Sequence, residues 1–108
     1  MSIEEIIRKA LLTVLPAVEP EGYDGEEPEY LTFSCDERPA LFGDDAAQER
    51  VADVLVSWYA PVGTNPKTRR RAICKALEEA GCTSPRVTNA SDEEGLHQSF
   101  ECEREVED

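Results

Sequence analysis

Positive charge is scarce in this chain: 11 Lys and Arg stand against 24 Asp and Glu, a formal net charge of −13 at pH 7. That balance argues against general nucleic-acid binding, because a phosphate backbone would be repelled almost everywhere. It permits pairing with a basic surface on another protein or on a second copy of the chain. Histidine is scarcer still. His97 is the sole example, on the polar side of an alternating stretch with no nucleophile motif around it, so a solvated strand residue is expected rather than a catalytic base. The four cysteines, Cys35, Cys74, Cys82 and Cys102, lack the two-to-four-residue gaps of a structural zinc site. They allow two disulfides in three pairings, but with acids where a secretion signal needs positive charge, reduced thiols in a cytoplasm are expected. Cys35, Cys74 and Cys102 fall on apolar faces and read as small core residues. There is no Gly-rich phosphate loop, no calcium-loop spacing and no nucleophile elbow. No apolar run approaches the roughly 20 residues that span a bilayer. The expectation is a protein without enzymatic activity, cofactor, metal or membrane partner.

With 108 residues, the whole chain (1–108) reads as one small domain, enough for a sheet and one helix layer. Ser2 and Glu5 form a capping box, and Ile3, Ile6, Ile7, Ala10, Leu11 and Val14 recur at helical spacing up to Pro16. AVEP (17–20) is a short strand confined to an edge by Pro20. EGYDGEEPE is a polar loop, and EYLTFSC (29–35) is a strand with Leu31, Phe33 and Cys35 on one face. DERPALFGDD is then a connection of about ten residues, apolar at Leu41 and Phe42. From about Gln48 to Tyr59 both strand faces carry apolar residues, which marks a central strand covered by helices on one side and partly on the other. Asn65 and Pro66 start a second helix that closes at Gly81. PRVTNA (85–90) is a weak strand, SDEEG a turn, and LHQSFECEREV (96–106) alternates without a fault. The order is αβββαββ. It predicts an α+β fold: a mostly antiparallel twisted sheet of four to five strands with two helices packed on one face.

The charges are unevenly placed. Residues 19–49 hold eleven acids against Arg38 alone, residues 92–108 hold eight against Arg104, and five of the eleven bases lie between Lys67 and Lys75. Lys67, Arg69, Arg70 and Arg71 crowd the start of the second helix, where the macrodipole disfavours positive charge by a few tenths of a kcal/mol each. Two explanations stand. The cluster is either a solvated helix face neutralised by acids of the same domain, or a contact with the acidic segment of a neighbouring copy.

The stretch EYLTFSCDERPALFGDDAAQERVADVLVSWYAP, followed by a helix ending KALEEAGC, resembles the small tail-completion proteins of long-tailed phages, the tail terminators or tail-to-head joining proteins. Members show an N-terminal helix, a strand reading roughly Tyr-Ile/Leu-Thr-Phe, a loop with an acidic pair, a long alternating strand ending in an aromatic, a helix closing on Ala-Gly-Phe, and a last strand near the C-terminus. The likeness runs over about residues 2–106 in order and spacing. It departs at Cys82, where an aromatic is commoner, and in the high acidity of this chain.

The resemblance implies a sixfold ring seated on the last ring of the tail tube, which stops the tube and presents a surface to the head-tail connector. Its partners would be copies of itself, the tube protein and the connector, with DNA passing through unbound. It implies a place in the virion tail at the head-tail interface, reached from the host cytoplasm. In that light Lys67, Arg69, Arg70 and Arg71 become one interface patch, with Leu41, Phe42, Asp44 and Asp45 on a docking loop. Glu101, Glu103 and Glu105 become candidates for an acidic channel lining. The competing readings are a head-side connector adaptor, which such proteins make mainly from helices, and an acidic decoy that mimics DNA, whose surface the arginine cluster would interrupt.

Overall fold

The computed structural model describes residues 2–20, 27–39 and 50–106. Helix α1 (Ile3–Leu12) opens on the expected capping box: the Ser2 hydroxyl accepts from the Glu5 N–H at 3.2 Å, and the Ser2 N–H reaches back to Glu5 Oε1 at 3.4 Å. The Ser2 hydroxyl, donating to Glu5 Oε1 at 3.0 Å, and then the Ser2 N–H hold the Glu5 carboxyl below its usual range. Ile3, Ile7 and Leu11 face inward at helical spacing, each contributing about 1.5–3 kcal/mol by leaving water. Helix α2 (Pro66–Glu79) starts where Asn65 accepts from the Lys67 N–H at 3.0 Å, and Ile73, Ala76 and Leu77 form its buried stripe.

The described residues form five strands, β1 (Val18–Pro20), β2 (Tyr30–Pro39), β3 (Arg50–Ala60), β4 (Arg86–Asn89) and β5 (Leu96–Val106), in spatial order β1-β2-β3-β5-β4. Only β1–β2 is parallel; the other three pairings are antiparallel. The mixed sheet with two helices is the α+β arrangement expected from the sequence, with β3 central as its two-sided apolarity predicts. Even-numbered positions of β3 (Ala52, Val54, Val56, Trp58, Ala60) stand with Leu31 and Phe33 of β2 and Phe100 and Cys102 of β5 in one core under Ile7, Leu11, Ile73 and Leu77 of the helices.

Two details differ from expectation. Asp36–Pro39 read as the start of a loop, yet they continue β2 in register with Arg50–Asp53. Their side chains are exposed, so no apolar alternation announces them; the ladder and an Arg38 bridge hold them instead. The connection that follows, with Leu41, Phe42, Asp44 and Asp45, lies outside the described residues, as do Gln48 and Glu49 at the expected start of the long strand. At its other end that strand runs one residue further, to Ala60.

The end of α2 is built around Gly81 at φ +96. The Cys82 N–H bonds the Leu77 carbonyl at 3.0 Å and the Gly81 N–H bonds that of Glu78 at 3.0 Å, the double closure that calls for a left-handed residue after the cap. Arg104 of β5 then covers this end, its Nε donating to the Ala80 carbonyl at 2.6 Å. A cation there satisfies an orphan acceptor and complements the negative pole of the helix.

Candidate interaction surfaces

The cluster at the start of α2 divides. Arg69 turns inward: its Nε and second amino group grip the two oxygens of Glu29 at 2.9 and 3.0 Å, and its first amino group donates to the Val14 carbonyl at 2.8 Å. Glu29 Oε2 also accepts from the indole N–H of Trp58 at 2.9 Å. Trp58 is fully buried, so its N–H needs a partner inside the protein. One arginine thus ties α2, the end of α1, the approach to β2 and the central strand together. Arg70 donates from Nε to the side-chain oxygen of Gln98 at 3.0 Å, and Gln98 is itself buried on the core side of β5. The four bases expected as a single intermolecular patch are therefore two structural residues and two exposed ones, Lys67 and Arg71. Arg69 is neutralised within the domain by Glu29, while Arg70 is held by the uncharged amide of Gln98.

Lys67, Arg71 and Lys75 recur every four residues and form one exposed basic stripe along α2. Lys75 lies 3.9 Å from Glu79, while Lys67 and Arg71 have no ion-pair partner among the described residues.

The opposite layer is of the other sign. No described helix or strand packs on the second face of the sheet, and the strand register sets its side chains in rows. Tyr30, Tyr59 and His97 stack in one row, with ring centroids 4.7 and 4.3 Å apart and planes within 20°. Thr32, Ser57, Ser99 and Thr88 form a row of hydroxyls. Next come Ser34, Leu55, Glu101 and Arg86, and then Asp36, Asp53 and Glu103 directly opposite one another. Like charges facing across a ladder destabilise it. Arg38, one row further, relieves part of this: it bonds Asp53 at 2.9 Å and Glu103 at 3.2 Å. The hydrogen bond and charge of Asp53, with Glu103 adding, raise the Arg38 pKa above its ordinary value. Asp36, Glu101 and Glu105 form no ion pair among the described residues, although Arg86 stands opposite Glu101. Asp36, Asp53, Glu101 and Glu103 ring a hollow of about 380 Å³, with Leu55 of β3 and Arg86 of β4 also in its lining.

His97 is not the solvated residue expected. It is half-buried against Tyr59, and its Nε2 is shielded from water with no hydrogen-bond partner among the described residues. Glu101, Glu103 and Glu105 all lie exposed on this same sheet face. The sequence showed the alternation that puts them there but not the register that brings Asp36 and Asp53 beside them.

All four cysteines are free thiols. Burial pushes Cys35 up to about 12, with Glu4 adding to the rise, and burial also raises Cys74. Cys82, just past the end of α2, is buried beside Cys102. Their mutual hydrogen bond lowers the Cys82 pKa and, with burial adding, raises that of Cys102. Among the described residues no three potential ligands gather where a metal ion could sit. No described helix is long and apolar enough to cross a membrane.

No protein-family model matches the chain, and no curated protein matches it significantly.

Proposed function

We propose that this protein is a non-enzymatic assembly subunit that caps the tail tube of a long-tailed phage as a ring, probing no substrate and offering the face on which head and tail join. Two things support the reading. The first is the order of elements and short phrases from Ser2 to Val106 that resemble tail-completion proteins. The second, which carries it, is the segregation of charge onto unlike surfaces: a basic stripe on α2 and a carboxylate-rich sheet face in the opposite layer. A ring requires two different patches that meet head to tail, whereas a twofold dimer uses one patch twice.

On this reading the subunit's partners are copies of itself, the tube protein below and the connector above. DNA passes through the ring without specific binding, as the acidic balance favours. Leu41 and Phe42, in the connection between β2 and β3, are assigned to a contact with the tube or with the next subunit.

The test is electron microscopy of particles from the parent phage with this gene deleted. Overlong tails beside full, unattached heads are the expected outcome. Normal-length tails beside separate heads would move the protein to the head side of the joint. Intact, infectious virions would end the reading.

A further inference from the structure

We infer that the acidic end of the open sheet face is the docking surface for the basic stripe of α2 on a second copy of the chain. This rests on the ring reading and deepens it by naming both sides of the contact.

The donor side is set by the helix. Lys67, Arg71 and Lys75 are all exposed, and from first to last they cover roughly 12 Å along the axis. The acceptor side has matching dimensions. Asp36, Asp53 and Glu103 span three adjacent strands, roughly 10 Å, while Glu101 to Glu105 run roughly 13 Å along β5. Among the described residues, five carboxylates in this area have two guanidinium neighbours, Arg38 and Arg86, and only Arg38 is ion-paired to them. A face with three carboxylates directly opposite one another violates the usual rule for cross-strand pairs. Such violations concentrate where function requires them, and a cation brought by a neighbour removes this one.

The hollow gives the contact a centre. Its carboxylates and the half-buried Leu55 suit a long basic side chain, whose stem covers apolar surface while its head finds acceptors. Arg71, midway along the stripe, is assigned to it. The two surfaces lie on opposite layers of one domain, so a copy that docks through its helix leaves its own sheet face ready for the next. The contact is heterologous and propagates until it closes. The sheet face measures roughly 20 by 30 Å, short of the roughly 800 Å² per partner of a standard interface. A single contact is therefore weak and salt-sensitive, and closure of the ring strengthens it. Glu101, Glu103 and Glu105 belong to this contact rather than to a channel lining.

The experiment uses the full chain and sedimentation equilibrium over a salt series. One variant reverses the stripe (Lys67→Glu with Arg71→Glu). The other reverses the face (Asp36→Lys with Glu101→Lys), at two acids that form no ion pair among the described residues; circular dichroism and Tm check that the fold survives the Lys placed opposite Arg86. Wild-type chain self-associates at low salt and dissociates as salt rises. Each variant alone loses at least about tenfold in association constant, and an equimolar mixture of the two regains it, since each then presents the surface the other lacks. Two results overturn the proposal: wild-type chain that stays monomeric at millimolar concentration and low salt, or variants that associate alone as well as they do mixed. Neither result depends on tail length, so this contact and the capping role fail or stand separately.

Discussion

Replacing Arg69 by Ala should damage the fold, while the same change at Arg71, two positions along the same basic run, should not. Arg69→Ala removes two hydrogen bonds to Glu29 and one to the Val14 carbonyl. Among the described residues it leaves the Glu29 carboxylate with the Trp58 indole alone as partner. A hydrogen bond to a charged group contributes about 1.5–3 kcal/mol. The side chains of Arg69 and Glu29 are 34% and 28% exposed, so solvent screening takes a large share of that gain. The surviving cost is about 2–3 kcal/mol, a large part of the roughly 5–15 kcal/mol that holds a domain together. For a chain of 108 residues it corresponds to a fall of about 10–15 °C in Tm. Arg69→Lys keeps the charge but not the paired grip on the carboxylate, and should recover less than half of the loss. Arg71→Ala should stay within about 0.5 kcal/mol of wild type. Urea unfolding followed by the fluorescence of Trp58, the only tryptophan, reads all three variants through a probe in contact with Glu29. Equal stabilities for Arg69→Ala and Arg71→Ala would refute the division of the cluster into structural and exposed bases.

Three further outcomes follow from particular residues. Gly81→Ala forces a side chain into a left-handed conformation and sets its Cβ 3.1 Å from Arg104 Nε, so calorimetry should show a loss of about 1–2 kcal/mol; an unchanged Tm would contradict the closure described for α2. The Cys35 thiol has its pKa raised from 9.0 to about 12 by burial, so its protonated form stabilises the fold below pH 9 and that contribution is lost as pH climbs from 9 towards about 12. Cys35→Val should show a shallower decline in unfolding free energy over that window than wild type, and identical slopes would count against the burial argument. Leu41→Ser combined with Phe42→Ser should leave the circular dichroism and Tm of the chain unchanged while abolishing tail capping in complementation of the deleted phage; normal tails would remove these two residues from the contact with the tube or the next subunit.

Local signals were the legible ones. β5 was readable to its end residues because apolar and polar positions alternate from Leu96 to Val106. The start of α2 followed from Asn65 and Pro66, and its end from Gly81, which need no knowledge of the rest of the fold. Where charge replaces apolar alternation, as at Asp36–Pro39, the strand was hidden, because its stability comes from the ladder and from the Arg38 bridge across β3 and β5. Register is a property of the folded sheet. The Tyr30–Tyr59–His97 stack and the row of Asp36, Asp53 and Glu103 arise only once three strands far apart in sequence are aligned. Arg69 and Glu29 are forty residues apart. The one hint available was Trp58 itself, an indole on an otherwise apolar strand face that had to find an acceptor.

The claim that this subunit caps a tail tube is tested most directly by adding the purified chain to growing tubes of the tail-tube protein from the same phage and measuring length by electron microscopy. The account predicts that tubes stop growing and that each carries a ring at one end. Tubes that lengthen as fast with the chain as without it, with both ends bare, would contradict it.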